Sequence, residues 1–304
     1  MKSKTLYSTH LDIDSNRAEI IDCIFSNCYH SSHGGAIFIN SISTLFICLS
    51  STFNQCRSEQ YGGAICAYTS NHSVYKTTCY HKCSGILASV LVWGHLQKNF
   101  YLEFNLSTEY YETDCFCSGL LGTTSSIVTN NNFSKSYSYL VAGVQIGTGT
   151  QSTLMSYCQV SKAVGGFIIS VQNSKNGINP IVSHVNFIEV QASRAFLHLA
   201  HFSSNPHFDS CAFITNTKSK LVEENPYYGS PSFNGCSFSF SYDSALYSSI
   251  QTNSNSFNHN TQNMFPAVDS YLCWNVLAVT KGSNFMGSNR FAELLVLTLS
   301  AILV

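Results

Sequence analysis

The sequence carries little charge of either sign. Asp, Glu, Lys and Arg make up 10% of its 304 residues, whereas an ordinary soluble domain has about 25%. The net charge of −1 gives no electrostatic basis for binding nucleic acid. Low charge does not indicate disorder here, because 44% of the residues are apolar and 13% are aromatic. The polar share falls instead to Ser, Thr, Asn and Tyr, which suit stacked β-structure because like charges on neighbouring strands would repel one another.

Proline and helical patterning are also scarce. Only five prolines occur, so almost every backbone N–H is available for strand pairing. No amphipathic run of about ten residues has the helical period, which excludes repeats built from helix pairs. The segment Met1–Ser8 lacks the apolar stretch of a secretory signal. It predicts either an intracellular protein or a sequence whose start is incomplete.

The sequence contains no recognisable catalytic or metal-binding constellation. Its acidic residues do not align from repeat to repeat, as the paired carboxylates of a β-helical glycosidase would. The densest acidic group consists of Glu103, Glu109, Glu112 and Asp114. We interpret that group as a solvated insertion, and His198 and His201 as packing or surface residues on opposite faces of a strand. We therefore predict no catalytic residue, no metal, including zinc, and no cofactor.

What the sequence does contain is a repeat of 28 residues. Cys-Ile-Phe-Ser-Asn-Cys at 23–28 is followed by Gly-Gly-Ala-Ile at 34–37, and Ser-Thr-Phe-Asn-Gln-Cys at 51–56 by Gly-Gly-Ala-Ile at 62–65. A fixed period of this size indicates stacked structural repeats.

An aromatic residue marks one position of the repeat along most of the chain. The series is Phe25, Phe53, Tyr80, Phe133, Tyr157, Phe187, Phe213, Phe233, Phe257 and Phe285. The long interval between Tyr80 and Phe133 should contain one more anchor, for which Phe104 and Phe116 are both candidates. A polar residue follows most anchors by two positions and a short residue follows by three, an alternation typical of a strand that ends in a tight turn.

Two further apolar runs lie between successive anchors and are separated by Ser, Asn and Gly turns. Three short strands in each coil of 20–30 residues are typical of a parallel β-helix. We predict an all-β solenoid of about ten coils over residues 21–290. Residues 1–20 would be a lead-in or first partial coil, and residues 291–304 a hydrophobic tail.

Three Gly-Gly pairs, Gly34–Gly35, Gly62–Gly63 and Gly165–Gly166, are predicted to lie where the chain turns into a strand. Glycine there permits a positive φ and a close approach of neighbouring coils. A phosphate-binding loop is the weaker alternative, because no helical pattern follows any of the pairs.

The thirteen cysteines cannot all pair within one chain, because their number is odd. Cys28, Cys56 and Cys83 each lie three residues after an anchor, so stacked coils would place them about 4.8 Å apart. Two interpretations remain open. They are free thiols used as small apolar residues in a core ladder, or disulfides between neighbouring coils, since this spacing suits a disulfide.

The paired motifs Gly-Gly-Ala-Ile and Phe-x-x-Asn resemble those of the chlamydial polymorphic outer membrane proteins, and related repeats occur in surface proteins of trichomonad-type protists. Phe-x-x-Asn is strict at Phe213–Asn216 and Phe257–Asn260, and Cys replaces the Asn at Cys28, Cys56 and Cys236. The resemblance covers residues 20 to about 290. It implies a right-handed parallel β-helix located at the cell surface or membrane.

The tail at 291–304 is the most apolar stretch of the sequence. It fits a membrane span that is cut short, a lipid-anchor signal, or the inward strand of a last coil, and the first two imply membrane association. Asn71 and Asn105 lie in Asn-x-Ser sequons and are candidate N-glycosylation sites if the chain is secreted. A third sequon at Asn132 lies beside an anchor aromatic and is less accessible.

These observations favour a non-enzymatic, surface-exposed β-helix that presents a long neutral face for adhesion to, or recognition of, a host cell or glycan. The alternative is a carbohydrate-active β-helix enzyme, a polysaccharide lyase or hydrolase, that uses the acidic insertion at residues 103–114. A degenerate member of an expanded family, without a function of its own, is a third reading.

Overall fold

The structure is a computed structural model, and it describes fourteen stretches of the chain. These are residues 6–41, 43–67, 72–85, 99–103, 106–108, 116–120, 125–148, 152–173, 179–200, 205–215, 220–223, 230–239, 251–253 and 255–257. All of them lie within a compact unit formed by Met1–Asp269. Every regular element among them is a β-strand, and these residues contain no helix.

The strands are short and closely spaced along the chain. The first twelve are β1 (Leu6–Tyr7), β2 (Leu11–Ile13), β3 (Arg17–Ile21), β4 (Ile24–Ser26), β5 (Tyr29–His30), β6 (Ile37–Ile39), β7 (Leu45–Leu49), β8 (Thr52–Asn54), β9 (Arg57–Ser58), β10 (Ile65–Ala67), β11 (His72–Lys76) and β12 (Cys79–His81). The next nine are β13 (Asn99–Glu103), β14 (Leu106–Thr108), β15 (Phe116–Leu120), β16 (Ser125–Thr129), β17 (Asn132–Ser134), β18 (Tyr137–Thr148), β19 (Ser152–Ser156), β20 (Gln159–Ser161) and β21 (Val164–Asn173). The remaining strands are β22 (Ile181–Ser183), β23 (Asn186–Ala192), β24 (Ala195–Ala200), β25 (His207–Asp209), β26 (Ala212–Thr215), β27 (Lys220–Val222), β28 (Ser232–Asn234), β29 (Ser237–Phe238), β30 (Gln251–Asn253) and β31 (Ser256–Phe257).

The strands stack in parallel, coil upon coil, so the chain is an all-β solenoid as its sequence predicts. The first face is a ten-stranded sheet in the order β3-β7-β11-β13-β16-β19-β22-β25-β28-β30. The second face runs β1-β4-β8-β12-β14-β17-β20-β23-β26-β29-β31. The third face has two parts, β2-β6-β10 and β15-β18-β21-β24-β27. Since β1, β2 and β3 pair with β4, β6 and β7, the lead-in already contributes strands to all three faces.

A single file of residues, most of them aromatic, follows the second face, and side chains such as Phe25 and Phe53 in it are buried in the core. The strand register places Tyr7, Phe25, Phe53, Tyr80, Ser107, Phe133, Val160, Phe187, Phe213, Phe238 and Phe257 at equivalent positions. The Phe25 and Phe53 rings stack with centroids 5.0 Å apart and planes 3° apart. Stacking of this kind stabilises each aromatic pair by about 0.5–1.5 kcal/mol beyond the free energy gained from burying the rings. The predicted aromatic file therefore exists, and Ser107 occupies the coil for which the sequence offered Phe104 or Phe116.

Two members of the predicted file are wrong. Tyr157 lies at a corner after β19, is 50% exposed and stacks on His184, while Val160 takes the inward position. Phe233 belongs to the first face, where its ring stacks on Phe208 at 4.8 Å. The error arises because a strand of the first face and the following strand of the second face are separated by only two residues, so an aromatic in either strand fits a variable coil length.

A second inward file follows the first face and completes the core. Its described side chains are buried and consist of Ile20, Cys48, Tyr75, Val128, Met155, Val182, Phe208 and Phe233. Because each side chain is covered by its counterparts in the coils above and below, the core extends as long as the coils stack.

Single residues in the left-handed conformation make the corners of each coil. Between the first and second faces they are Asp22, Ser50, Thr77, Asn130, Tyr157, His184, Ser210 and Gly235, and beyond the second face they are Asn27, Gln55, Lys82, Lys135, Lys162 and Glu189. The corner N–H groups donate to the next coil, as from Asn27 to the Asn54 carbonyl at 2.9 Å. The polar residue two positions after the anchor is thus a corner, and the short residue that follows it points back into the core.

The first two Gly-Gly pairs form the turn that the sequence predicts. Gly34 has a φ of +57° and Gly62 a φ of +64°. A β-carbon on Gly34 would lie 2.0 Å from the Ile37 carbonyl oxygen, and one on Gly62 would lie 2.2 Å from the Ile65 carbonyl oxygen. At Gly35 a β-carbon would lie 2.2 Å from the Gly63 carbonyl oxygen of the next coil. Glycine is required here both for the backbone conformation and for the close approach of coils.

Candidate functional site

Two exposed tyrosines lie at and just before a β-bulge on the third face. Strands β18 and β21 pair Ser138 with Gly165 and Val141 with Phe167, so two residues, 139 and 140, oppose the single residue 166. Bulges re-aim side chains and are frequent beside functional sites. Tyr139 is 81% exposed and Tyr137 is 47% exposed.

The third Gly-Gly pair lies beneath this bulge. Gly165 and Gly166 are inside β21 and neither has a positive φ, so the predicted turn is wrong for this pair. Their role is close approach, because a β-carbon on Gly165 would lie 2.7 Å from the Ser138 carbonyl oxygen, and one on Gly166 would lie 2.8 Å from that of Tyr139. The coil that contains Gly165 and Gly166 therefore presents only backbone atoms next to the bulge.

The next coil supplies the opposite wall. The Ser193 N–H donates to the Gly165 carbonyl at 2.8 Å and the Arg194 N–H to the Gly166 carbonyl at 3.0 Å. Tyrosines of one coil and Ser193 and Arg194 of another therefore flank the glycine floor, two strand spacings or about 10 Å apart. The missing side chains of the middle coil open a cleft between them.

This tyrosine–arginine cleft has a volume of about 530 Å³, within the range of about 300–1,000 Å³ for small-molecule sites. The described residues that line it are Tyr137, Ser138, Tyr139, Val164, Gly165, Gly166, Gln191, Ala192, Ser193 and Arg194. It offers two phenol rings with their hydroxyls, one amide, two serine hydroxyls and one guanidinium. No carboxylate occurs among these described lining residues.

Arg194 is held in place from below and from one side. Its guanidinium carbon lies 4.8 Å from the centroid of the buried Phe167 ring, a cation–π contact. One guanidinium nitrogen, Nη2, donates to Glu223 Oε1 at 2.7 Å, while 57% of the Arg194 side chain remains exposed. These contacts present a positively charged group at the cleft.

Beside Phe167, three residues have the chemistry of a hydrolytic triad but not the access. The Ser170 hydroxyl lies 3.2 Å from His198 Nδ1, and His198 Nε2 lies 3.6 Å from Glu223 Oε2. Ser170 is only 1% exposed, so a substrate carbonyl could not reach its hydroxyl. The His198 ring stacks on Phe167 with centroids 4.4 Å apart, which agrees with the predicted packing role.

The cysteine ladder is made of buried thiols. Cys28, Cys56 and Cys83 are free, and each thiol donates to a carbonyl of the preceding coil at 3.5–3.7 Å. The hydrogen bond with Cys56 lowers the pKa of the Cys28 thiol. The pKa of the Cys56 thiol is raised well above its usual range by the hydrogen bonds with Cys28 and Cys83 and by burial. The free-thiol interpretation is therefore confirmed for Cys28, Cys56 and Cys83, and the alternative of disulfides between them is wrong. Cys79, which lies outside this ladder, is in a disulfide.

The outer surface of the first face carries an aliphatic file rather than a polar one. Ile47, Val74, Ile127 and Leu154 are half-buried, and Ile181 is 46% exposed. They occupy equivalent positions on consecutive described strands, with Tyr101 between Val74 and Ile127 in the backbone register.

Several residues singled out in the sequence lie outside the described residues. They are Asn71, Phe104, Asn105, Glu109, Glu112, Asp114, His201, Asn216, Asn260, Phe285 and the tail at 291–304. Glu103 lies in β13, paired with Lys76 and Thr129 in the backbone register. Asn132, the third sequon, is 7% exposed.

The described stretches contain no group of three or more His, Cys, Asp or Glu side chains placed to hold a metal ion. They also contain no helix long and apolar enough to span a membrane.

Sequence reasoning missed the tyrosine–arginine cleft. It named Gly165–Gly166 but not the tyrosines or Arg194. The signal was present as two tyrosines, 137 and 139, in a strand one coil before a Gly-Gly pair. Comparison with known proteins does not identify the site, since no protein-family model, curated protein or solved structure matches the chain.

Proposed function

We propose that this protein is a non-enzymatic, surface-exposed β-solenoid that recognises glycans, such as those of a host cell, in the tyrosine–arginine cleft. The observation that carries the proposal is the pair of exposed tyrosines facing polar groups across a backbone floor. A tyrosine ring offers a rigid apolar face with a hydroxyl at its end, which suits the C–H face and the hydroxyl rim of a sugar ring. Gln191 and Ser193 add neutral hydrogen-bonding groups on the opposite side.

We also propose a right-handed solenoid of about ten coils with three strands in each. Ten strands in the first face support the number of coils, and the strong preference of parallel β-crossovers for the right hand supports the handedness. The resemblance of the Gly-Gly-Ala-Ile repeat to surface proteins supports a location at the cell surface or membrane, with residues 291–304 contributing to membrane association.

The proposal is tested by binding of the purified full chain to an array of neutral and charged oligosaccharides, followed by titration calorimetry of the ligands found. Replacing Tyr139 and Tyr137 together by Ala should weaken binding by at least about tenfold, because truncated aromatic anchors typically cost more than 1–2 kcal/mol. Tyr157→Ala is the matched control, since Tyr157 is similarly exposed, at 50%, but lies at a corner away from the lining residues. Equal losses in the two variants would contradict the proposal.

The alternative enzymatic function is tested with the same protein. Polysaccharides incubated with and without Ca²⁺ are analysed for cleavage products by mass spectrometry. Turnover that Asp114→Ala abolishes would establish a carbohydrate-active enzyme and overturn the non-enzymatic proposal.

A further inference from the structure

We infer that the ligand of the tyrosine–arginine cleft is an acidic glycan, whose carboxylate or sulfate group binds Arg194 while a sugar ring stacks on the tyrosines. This inference rests on the proposed function and narrows it to one class of glycan.

The first argument is the charge of the cleft. Arg194 is the only ionic side chain among the described lining residues, and it stands opposite the tyrosines across the glycine floor. A guanidinium attracts an anionic ligand more strongly than a neutral one, and its carboxylate partner, Glu223, is not among the described lining residues of the cleft. The guanidinium fork also matches a carboxylate or sulfate in geometry, because it can donate two parallel hydrogen bonds.

The second argument is the way Arg194 is held. Phe167 supports the guanidinium at 4.8 Å, and Phe167 is itself covered by His198 at 4.4 Å. A supported guanidinium loses less conformational freedom when it binds, so more of its interaction energy appears as affinity.

The third argument concerns Glu223, which competes with the ligand. Its carboxylate accepts from Arg194 at 2.7 Å, but 57% of the Arg194 side chain and 28% of that of Glu223 are exposed. An exposed ion pair of this kind is worth only about 0.2–1 kcal/mol. A bound anion can therefore share or replace Glu223 as the partner of Arg194, and removal of the Glu223 charge should strengthen binding.

The test uses the full chain and three matched probes in titration calorimetry. The probes are a uronate tetrasaccharide, the same tetrasaccharide with its carboxyl groups reduced to alcohols, and a sulfated form of the reduced compound. We expect the uronate or the sulfated probe, or both, to bind at least about tenfold more tightly than the reduced probe, since hydrogen bonds to charged groups contribute about 1.5–3 kcal/mol. The probe that gains affinity identifies the anionic group.

Three variants separate the role of Arg194 from effects on folding. Arg194→Gln should abolish the preference for the anionic probe, so that the anionic and reduced probes bind this variant with equal affinity. Arg194→Lys, which keeps the charge but loses the fork, should retain part of the preference. Glu223→Gln should raise affinity for the anionic probe about two- to fivefold, consistent with loss of a weak competing pair, which general damage to the fold could not do. Thermal unfolding of each variant confirms that it is folded.

The outcomes distinguish this inference from the proposed function. Equal affinity for anionic and reduced probes, with tyrosine-dependent binding retained, overturns the acidic-glycan inference and leaves glycan recognition standing. An anion preference that survives Arg194→Gln overturns the assigned role of Arg194. Absence of binding to every probe and to the neutral array overturns both.

Discussion

The Gly-Gly dipeptide has opposite consequences in two regions of the solenoid. In the closed region, residues 20–67, Gly34 and Gly62 turn the chain through a positive φ and lead into a strand of the third face. In the open region, residues 137–194, Gly165 and Gly166 lie within a long strand and have ordinary strand conformations. The same dipeptide forms a turn between strands in the closed region. In the open region it leaves a strand without side chains beside the cleft.

The difference arises from the neighbouring coil rather than from the glycines themselves. In the closed region one Gly-Gly pair stacks on another, with a β-carbon on Gly35 reaching only 2.2 Å from the Gly63 carbonyl oxygen. In the open region the pair lies under the bulge at residues 139–140 and beside Ala192. A repeat unit thus acquires a cleft when one coil departs from the register of its neighbours.

The largest effect is expected at the turn of the closed region. Gly62→Ala should lower the free energy of unfolding by about 3 kcal/mol or more, because the new β-carbon meets both an unfavourable φ and a carbonyl oxygen at 2.2 Å. Gly235→Ala is the control: it has a φ of +59° but its β-carbon meets only the Ser210 hydroxyl at 3.6 Å, so about 1 kcal/mol is expected. Urea denaturation at matched slopes measures both. Equal losses of unfolding free energy in the two variants would show that the positive φ, and not the contact with the carbonyl oxygen, determines the cost.

A smaller loss of stability and a larger loss of binding are expected in the open region. Gly166→Ala places a β-carbon 2.8 and 2.9 Å from two backbone carbonyl oxygens of β18, so the strands must shift, at a cost of about 1–3 kcal/mol. Because Gly166 lines the cleft, the added methyl group and the strand shift it requires should weaken glycan binding at least about tenfold.

Gly143→Ala is the matched control for this variant. Its β-carbon would lie 2.3 Å from the Ile168 carbonyl oxygen, and Gly143 is not among the described lining residues. It should therefore destabilise the protein at least as much while the folded fraction binds normally. Unchanged binding in Gly166→Ala would remove the cleft from the glycan site.

The general architecture was predictable from the sequence because stacking imposes a periodic pattern. Aromatic anchors such as Phe25 and Phe53, followed by a polar and then a short residue, mark an inward side chain, a corner and a return to the core. The parallel solenoid follows from that pattern. Phe233 and Tyr157 show its limit, since residues within a few positions of each other can serve different faces.

The cleft was not predictable in the same way. It depends on a shift in register between β18 and β21, and register is set by pairing with a distant coil rather than by local sequence. Gly165–Gly166 looks like the earlier pairs in sequence, but only the position of the bulge places it in a strand. The role of Arg194 likewise depends on Phe167 and Glu223, which come from neighbouring coils 27 and 29 residues away.

Alkaline pH should test whether the buried thiols of the two regions behave alike. Burial raises the pKa of Cys158 from 9.0 to about 12. Between these values the unfolded thiol ionises and the folded thiol does not, so stability is retained below pH 9 and falls as the pH rises toward 12. At pH 10 this one thiol should account for a loss of about 1.4 kcal/mol relative to pH 8.

Urea denaturation of the wild type and Cys158→Ala across pH 8–10.5 measures this contribution. The variant should start less stable at pH 8, because a buried group is removed, and lose about 1.4 kcal/mol less by pH 10. Cys56→Ala gives the comparison in the closed region. Removal of the Cys56 thiol should make stability less dependent on pH than in the wild type. This change should be partly offset, because the Cys28 thiol would lose the hydrogen bond with Cys56 that lowers its pKa. If the unfolding free energies of the wild type and Cys158→Ala changed with pH in parallel, the raised pKa of Cys158 would be contradicted.

The smallest effect is expected at the corners, which both regions share. Gln55 has a φ of +54° at an exposed corner, and the equivalent residue one coil earlier is Asn27 with a φ of +56°. Because Asn adopts the left-handed conformation more readily than Gln, Gln55→Asn should stabilise the protein by about 0.5 kcal/mol. Gln159→Asn, the same substitution inside β20, should give no gain or a slight loss, since Asn is disfavoured in strands. A gain in both variants would show that the benefit comes from the side chain and not from the corner, whereas a gain at Gln55 alone would assign it to the backbone conformation on which every coil depends.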